Sequence, residues 1–465
     1  MKTKIFSIKT TRQYDVVIVG GGPTGIAAAI AAARNGAHTA IIEYHGFLGG
    51  NAVNIPAWMG FHDLHGHRVI GGIAEELAEK LRMVGGATEP YMDPIVSSVT
   101  GVNGDWFKII ASQEVEMAGA EIWLHSLVVE VETGLTHKRP KAKGVYLWNK
   151  EGLHYYETDV VIDCTDTGDC ARMAGVKMIR GRAQDNKVQV SSWAVTVGNV
   201  NFDRLFRYYA EDLQEIRPFP LEDSVLKTLF EQMKRAEVFV MGSFHKLIRK
   251  AMADGLMLPR TYMPAVAFPK RGEIMHVASR IEDVDPNNAA NYTRAEIEGM
   301  RQAQLWMEFL RKYVPGCENC RLIKTASHIG VRETNHMEGE YTLTREDLLA
   351  GREFEDAIAV AGYHLDIHTP DHGGTETERP QTYQIPYRCL VPKGVDGILV
   401  AGHVISATHE AMSSTRVVPI CMAQGQAAGT AAALAERLGV EVRDVPIAEL
   451  RAQLRKDGVI LDIPQ

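Results

Sequence analysis

The sequence predicts an α/β fold, in which a buried parallel sheet is extended by an antiparallel meander and interrupted by an inserted mixed α+β domain. Three observations carry that expectation. A short apolar run, Val16 to Val19, leads through a glycine-rich turn and an alanine-rich helix to a second strand, the repeating unit of a parallel sheet. Between Leu127 and Tyr156, short alternating segments are separated by polar turns, as in a meander. From about residue 177 to 380 the segments lengthen, mix helix with strand, and become richer in Arg, His and aromatic residues. The chain is therefore divided into 1–176, 177–380 and 381–465, with the middle piece inserted as a substrate or cap domain.

The elements follow in order. Ile26 to Ala33 reads as a helix that stops at Asn35-Gly36, and Thr39 to Ile42 as a strand closing on Glu43. Helical periodicity covers about Ile73 to Met83 and Phe107 to Met117. Ile122 to Leu124 and Val160 to Asp163 then return the chain to the buried sheet. Gly397 to Ala401 is a late apolar strand, and one long helix is expected from about Thr415 to Leu438.

The 465 residues carry 50 Lys and Arg against 58 Asp and Glu, a net charge of -8, which argues against a nucleic-acid partner. No apolar run reaches the roughly 18 residues of a membrane span, and the start lacks the apolar segment of a signal peptide. Six cysteines in so long a chain do not form a disulfide scaffold. A cytoplasmic protein with a small-molecule substrate is expected; a homodimer stays open.

Gly20-x-Gly22-x-x-Gly25 lies between a strand and a helix, and an acidic residue, Glu43, ends the next strand. This is a Rossmann-like dinucleotide fingerprint. Gly20 permits the tight turn, Gly22 lets a pyrophosphate approach the backbone, and Gly25 lets helix and strand pack closely. The helix N-terminus, opening with Pro23 and Thr24, offers the free N–H groups that follow the proline to the phosphates, and Glu43 can accept the ribose hydroxyls. Three further segments favour a flavin dinucleotide, FAD. Gly49, Gly50, Asn51 and Ala52 belong to a loop able to run under a flavin. Thr165 and Gly168 end a buried strand beside the nucleotide, with Val128 in the meander nearby. Gly402 and His403 precede, and Arg416 opens, the expected helix, whose N-terminus would favour negative charge on the reduced ring.

Together with Ile385-Pro386-Tyr387-Arg388, Ala401-Gly402, Ser406, Arg416, Pro419 and Gly425-Gln426-Ala427-Ala428-Gly429, these residues carry a family likeness. Ile329 to Glu333 and Gly339 to Thr344 add to it. The chain resembles, from about 13 to 460, the FAD-dependent oxidoreductases related to the glutathione-reductase superfamily, in the group with a C-terminal IPYR…LVAG…GQAAG signature. That resemblance implies bound FAD and redox chemistry and names no substrate. His403 departs from the acidic residue or Arg often found after the Ala-Gly pair, and Thr334-Asn335-His336 stands where more Arg is expected.

Flavin chemistry needs a base when an alcohol or amine is oxidised. His364, Asp366 and His368 share a strand period, so all three project from one face, with His372 beyond. A carboxylate between two imidazoles is expected to fix their tautomers and raise the pKa of one. A metal site is the weaker reading of this spacing, and none is assigned. His62, with His65 and His67, follows the glycine loop and could border the substrate pocket. Arg332 and Arg388 offer forks for a substrate carboxylate or an anionic flavin. Cys317 and Cys320 form a lone CxxC away from the nucleotide motifs, read as an accidental pair.

The expectation is a dehydrogenase or oxidase passing a hydride from a small polar substrate to flavin N5. The alternatives are a flavin reductase or hydroxylase using transiently bound NAD(P)H, and a non-enzymatic flavin redox sensor. No second GxGxxG follows a strand, so the electron acceptor stays open among oxygen, quinone, NAD(P) and protein.

Overall fold

Residues 6–93, 96–136, 139–217, 221–371 and 374–464 are described by a computed structural model; His372 lies outside them. A seven-stranded sheet forms the centre. Its parallel part places Ile8–Val19 between Thr39–Ile42 and Gly152–Asp163, with Glu121–Trp123 beyond and Ile398–Val400 on the far side. Leu127–Thr136 and Arg139–Asn149 add the antiparallel meander through the first half of Gly152–Asp163.

Alternation explains the two faces of this sheet. Val16 and Ile18 join a large core that continues into helix Pro23–Arg34, while Val17 and Val19 join a smaller one under the meander. The first strand is far longer than the four apolar residues expected. Its polar beginning, Lys9 to Gln13, is exposed and pairs with Leu153 to Glu157. Those residues show no hydrophobic signal because backbone bonding and polar contacts, such as Arg12 with Trp123 and Glu121, hold them in the ladder.

Helix Val418–Leu438 packs across helix Pro23–Arg34 at unusually close range. A Cβ on Gly425 would stand 2.1 Å from the Thr24 carbonyl oxygen, and one on Gly429 2.2 Å from that of Ala28. The GQAAG segment is thus a four-residue glycine spacing that lets two helix backbones touch. The long helix expected from about Thr415 to Leu438 is present as Val418–Leu438, and a short helix, His409–Thr415, precedes it. His409–Thr415 and Val418–Leu438 meet at a 93° bend, and Pro419, in the first turn of the second helix, cannot continue the ladder of the first. Among the described residues, no single helix is long and apolar enough to cross a membrane.

A five-stranded antiparallel sheet is built from Val195–Gly198, Phe239–Ser243, Met263–Phe268, Glu273–His276 and Arg321–Thr325. The 25-residue helix Ala289–Tyr313 backs it, with Trp306 packed on His276. After it, Asn335–Met337 pairs with Met178–Arg180, and Ala357–Ala361 pairs with Tyr383–Pro386. The hairpin Leu365–Ile367 with Glu376–Glu378 sits against helix His409–Thr415. Core residues of both sheets, from Val16 to Ile274, belong to one continuous cluster.

Candidate active site

Between the two sheets runs a cavity of about 910 Å³, near the upper end of ligand pockets, which span roughly 300–1,000 Å³. One end is the glycine turn. Gly25 shapes it without facing the cavity, because a Cβ there would lie 1.9 Å from the Gly20 carbonyl oxygen. Gly22 is the opposite case. It borders the cavity, and a Cβ on it would meet nothing within 4 Å. No side chain caps the helix beginning at Pro23, so its first N–H groups are available to an anion. The turn therefore fits a dinucleotide pyrophosphate.

Glu43 is buried beside the turn. Its Oε2 accepts from Gly21 N at 2.6 Å, and its Oε1 from His45 N and the His45 ring at 2.8 and 2.7 Å. Burial works to raise its pKa, but these donors prevail and hold the carboxylate below its ordinary value. It stays charged, fixed, and placed to take ribose hydroxyls. Around it the cavity is lined by Val128, Thr165 and, unforeseen from sequence, His45 and His328, whose rings stack at 4.9 Å. Thr165 is held by Asp163 at 2.7 Å.

Gly20, Pro23, Thr24, Gly50, Asn51 and Ala52 also line the cavity, as do Gly402, His403 and Arg416. His403 contacts the Asp166 carbonyl at 2.8 Å. Gly49 and Gly168 do not border the cavity. A Cβ on the first would strike Val53 and one on the second Met178, so both serve loop packing. The remaining residues line one cavity together with Glu43 and the glycine turn, a lining that fits a dinucleotide cofactor.

The inner chamber brings together His364, Asp366, His368 and Arg332. His368 Nε2 lies 3.2 Å from Asp366 Oδ2, and Arg416 donates to the Asp366 carbonyl at 3.0 Å and to Oδ2 at 3.2 Å. Asp366 stays ionised: burial opposes the charge, but His368 and Arg416 outweigh it. The expected rise in an imidazole pKa does not occur. Burial, then the Arg332 guanidinium, pushes His368 down to about 3, and burial also lowers His364, whose Nδ1 finds no partner. Both rings are neutral near pH 7.

Two predicted residues lie elsewhere. Arg388 pairs with Asp356 through Nε at 2.9 Å and Nη2 at 3.0 Å, half exposed and outside the cavity. Its partner, 32 residues earlier, was invisible to motif reading. His62 also falls outside, bridged to Arg68 in a loop where Asp63 ties down His65 and His67. Cys317 and Cys320 are buried free thiols just after helix Ala289–Tyr313, and burial raises both pKa values, so neither is activated.

Sequence reasoning missed Tyr262 and Thr375, whose hydroxyls meet at 2.6 Å, with Thr375 Oγ1 3.3 Å from His368 Nδ1. It also missed a buried Glu333 that takes His336 at 2.8 Å and His409 at 2.9 Å. Glu333 Oε2 further accepts from Gln189 N, and Gln189 Oε1 accepts from His368 N at 3.1 Å, so this cluster is tied to the backbone at His368. No spacing rule joins residues 76 positions apart.

Comparison with known proteins identifies the family. The profile of the FAD dependent oxidoreductase family matches residues 15–454. Dihydrolipoyl dehydrogenase from Trypanosoma brucei brucei is 57% identical over 42 residues, 9% of each chain. Dihydrolipoyl dehydrogenase 2, mitochondrial, from Arabidopsis thaliana is 47% identical over 53 residues, 11% of this chain and 10% of that protein. The matched stretch thus spans about a tenth of these curated relatives. Among solved structures, a geranylgeranyl bacteriochlorophyll reductase-like protein from Thermoplasma acidophilum has 12% identity and a TM-score of 0.48, covering 97% of this chain and 85% of that one. Glycine oxidase from Geobacillus kaustophilus has 13% identity and a TM-score of 0.40, covering 89% and 93%. By the family match across nearly its whole length, the chain belongs to the FAD dependent oxidoreductase family and is an enzyme whose cofactor is FAD.

Proposed function

We propose that the protein is a flavin-dependent dehydrogenase or oxidase that takes two electrons from a small polar molecule held in the inner chamber. One observation carries this reading: the Asp366–His368 contact at 3.2 Å walls the same cavity that begins at the glycine turn. FAD bound along that cavity supplies the two-electron acceptor.

The chain's own groups bind the donor and manage its proton. An ionised carboxylate only accepts hydrogen bonds, so Asp366 fixes the ring proton of His368 on Nε2. Nδ1 is then the basic nitrogen. As the donor's C–H bond breaks with its electron pair leaving for the acceptor, its O–H or N–H proton passes to Nδ1. Asp366 stabilises the resulting imidazolium. Thr375 and Tyr262 offer a hydroxyl path onward, at 3.3 and 2.6 Å. The depressed pKa keeps His368 unprotonated before each turnover.

The test is anaerobic rapid mixing of the FAD-loaded enzyme with hydroxy acids, sugars and amines, and separately with NADH and NADPH. Fast flavin reduction by an organic donor supports the reading. Full reduction by NAD(P)H alone, with none by any organic donor, replaces it with a reductase.

A further inference from the structure

The inner chamber holds more positive charge than the described residues balance. Arg332 Nη1 donates to the Val190 carbonyl and the Ser192 hydroxyl, both at 2.7 Å, and forms no ion pair with a described residue. Both of its hydrogen bonds run through Nη1 and Arg332 lines the cavity, which leaves Nε and Nη2, the edge that makes a two-pronged contact with a carboxylate, without a partner among the described residues. Arg260 is 1% exposed, lies over the Tyr262 ring, and makes only long hydrogen bonds with the described residues, 3.4 Å to the Ser279 carbonyl and 3.5 Å to the Tyr262 hydroxyl. Its Nη2 has no hydrogen-bond partner among the described residues. Arg260 lies behind the cavity lining; of the arginines that line it with Arg332, Arg416 is balanced by Asp366 and Arg217 by Asp93.

Three guanidiniums thus converge on one carboxylate. Burial, then Arg260 and Arg416, lowers the Arg332 pKa to about 9, so it remains a cation near neutral pH while feeling its like-charged neighbours. The neutral imidazoles of His364 and His368 relieve nothing. Enclosed like charges without a counterion are costly, and a fold keeps them where a ligand supplies the missing charge.

We infer that the substrate carries a carboxylate, seated on the free Nε–Nη2 edge of Arg332 with Arg260 reinforcing it from behind Tyr262. This rests on the oxidoreductase reading above and narrows its small polar donor to an organic acid. The carboxylate orients the donor, and the adjacent carbon bearing the hydroxyl or amine then lies toward His368. It also offsets the cationic field that makes His368 a reluctant proton acceptor.

The experiment titrates FAD-loaded enzyme with malonate and succinate, with the neutral malonamide and succinamide, with inorganic phosphate, and with sodium chloride at matched ionic strength. The readout is the flavin visible spectrum. A saturable shift is expected with the dicarboxylates alone. Arg332→Gln should weaken it by about 10- to 100-fold, the scale of a lost charge-assisted hydrogen bond. Arg332→Lys should fall between, and Arg260→Gln should weaken binding less than Arg332→Gln. Should Arg332→Gln fail to retain flavin, the other two variants carry the test. Equal binding of the diamides or of phosphate, or unchanged dicarboxylate binding in the Arg332 and Arg260 variants, overturns the inference. Failure of the oxidoreductase reading looks different: carboxylates bind, yet no donor of any class reduces the flavin.

Discussion

Two glycines three residues apart should fail in opposite ways. In Gly22→Val the added side chain enters a region where a Cβ meets nothing within 4 Å, and φ at Gly22 is -71°, ordinary for any residue. The protein without cofactor should therefore fold with an unchanged unfolding midpoint, while the space a pyrophosphate needs is filled. In Gly25→Ala a single methyl stands 1.9 Å from the Gly20 carbonyl oxygen, inside any permitted contact, so helix and strand must separate. Overpacking of this kind costs about 1–3 kcal/mol, or more where backbone is the obstacle. Thermal unfolding of both apo-variants, alongside flavin content after reconstitution, separates the effects. Gly22→Val should keep its stability and lose FAD; Gly25→Ala should lose stability by a few degrees or more before cofactor is added. A Gly22→Val protein that retains FAD as tightly as wild type would refute the placement of the pyrophosphate.

The other expectations follow from named contacts. Glu43→Ala should weaken FAD retention by about 1–3 kcal/mol, the cost of lost hydrogen bonds to a charged group, measured by equilibrium flavin release. His276 is fully enclosed, neither ring nitrogen has a partner, and burial pushes its pKa down to about 3. A depressed folded-state pKa adds stability above the unfolded value of about 6.5, and that stability is lost as pH falls from there toward about 3. His276→Leu should therefore flatten the acid limb of the apo-protein's unfolding midpoint over that range, and an unchanged limb would assign the acid sensitivity elsewhere. Reductant should leave the unfolding midpoint unaltered, since Cys317 and Cys320 are free thiols.

Local patterns reached the fold where one element explains itself. Helix Ile73–Met83 has the bounds its periodicity indicates, because its apolar stripe is set by consecutive turns. The strand–turn–helix start was legible for the same reason, as was the shared face of His364, Asp366 and His368. What was hidden depends on distant partners. Arg388 looks like a functional fork until Asp356 occupies it. His62 follows the glycine loop in sequence, but the chain turns it away toward Arg68. Arg260 has no motif around it and matters only because Arg332 and Asp366 arrive beside it from other segments. The direction of the His368 shift was misjudged because sequence shows the carboxylate two residues away and neither the burial nor the guanidiniums that outweigh it.

The central claim is that the inner chamber, through Asp366 and His368, removes the substrate's proton as its electrons leave. The direct measurement is the anaerobic rate of flavin reduction by the best donor from a panel of 2-hydroxy and 2-amino acids, in wild type, His368→Ala and Asp366→Asn at equal FAD content. The account predicts a loss of about 10²–10⁴ in His368→Ala, the usual scale for a missing general base, and a smaller loss in Asp366→Asn, which keeps the imidazole in place. Wild-type reduction rates in His368→Ala with full FAD content would contradict it.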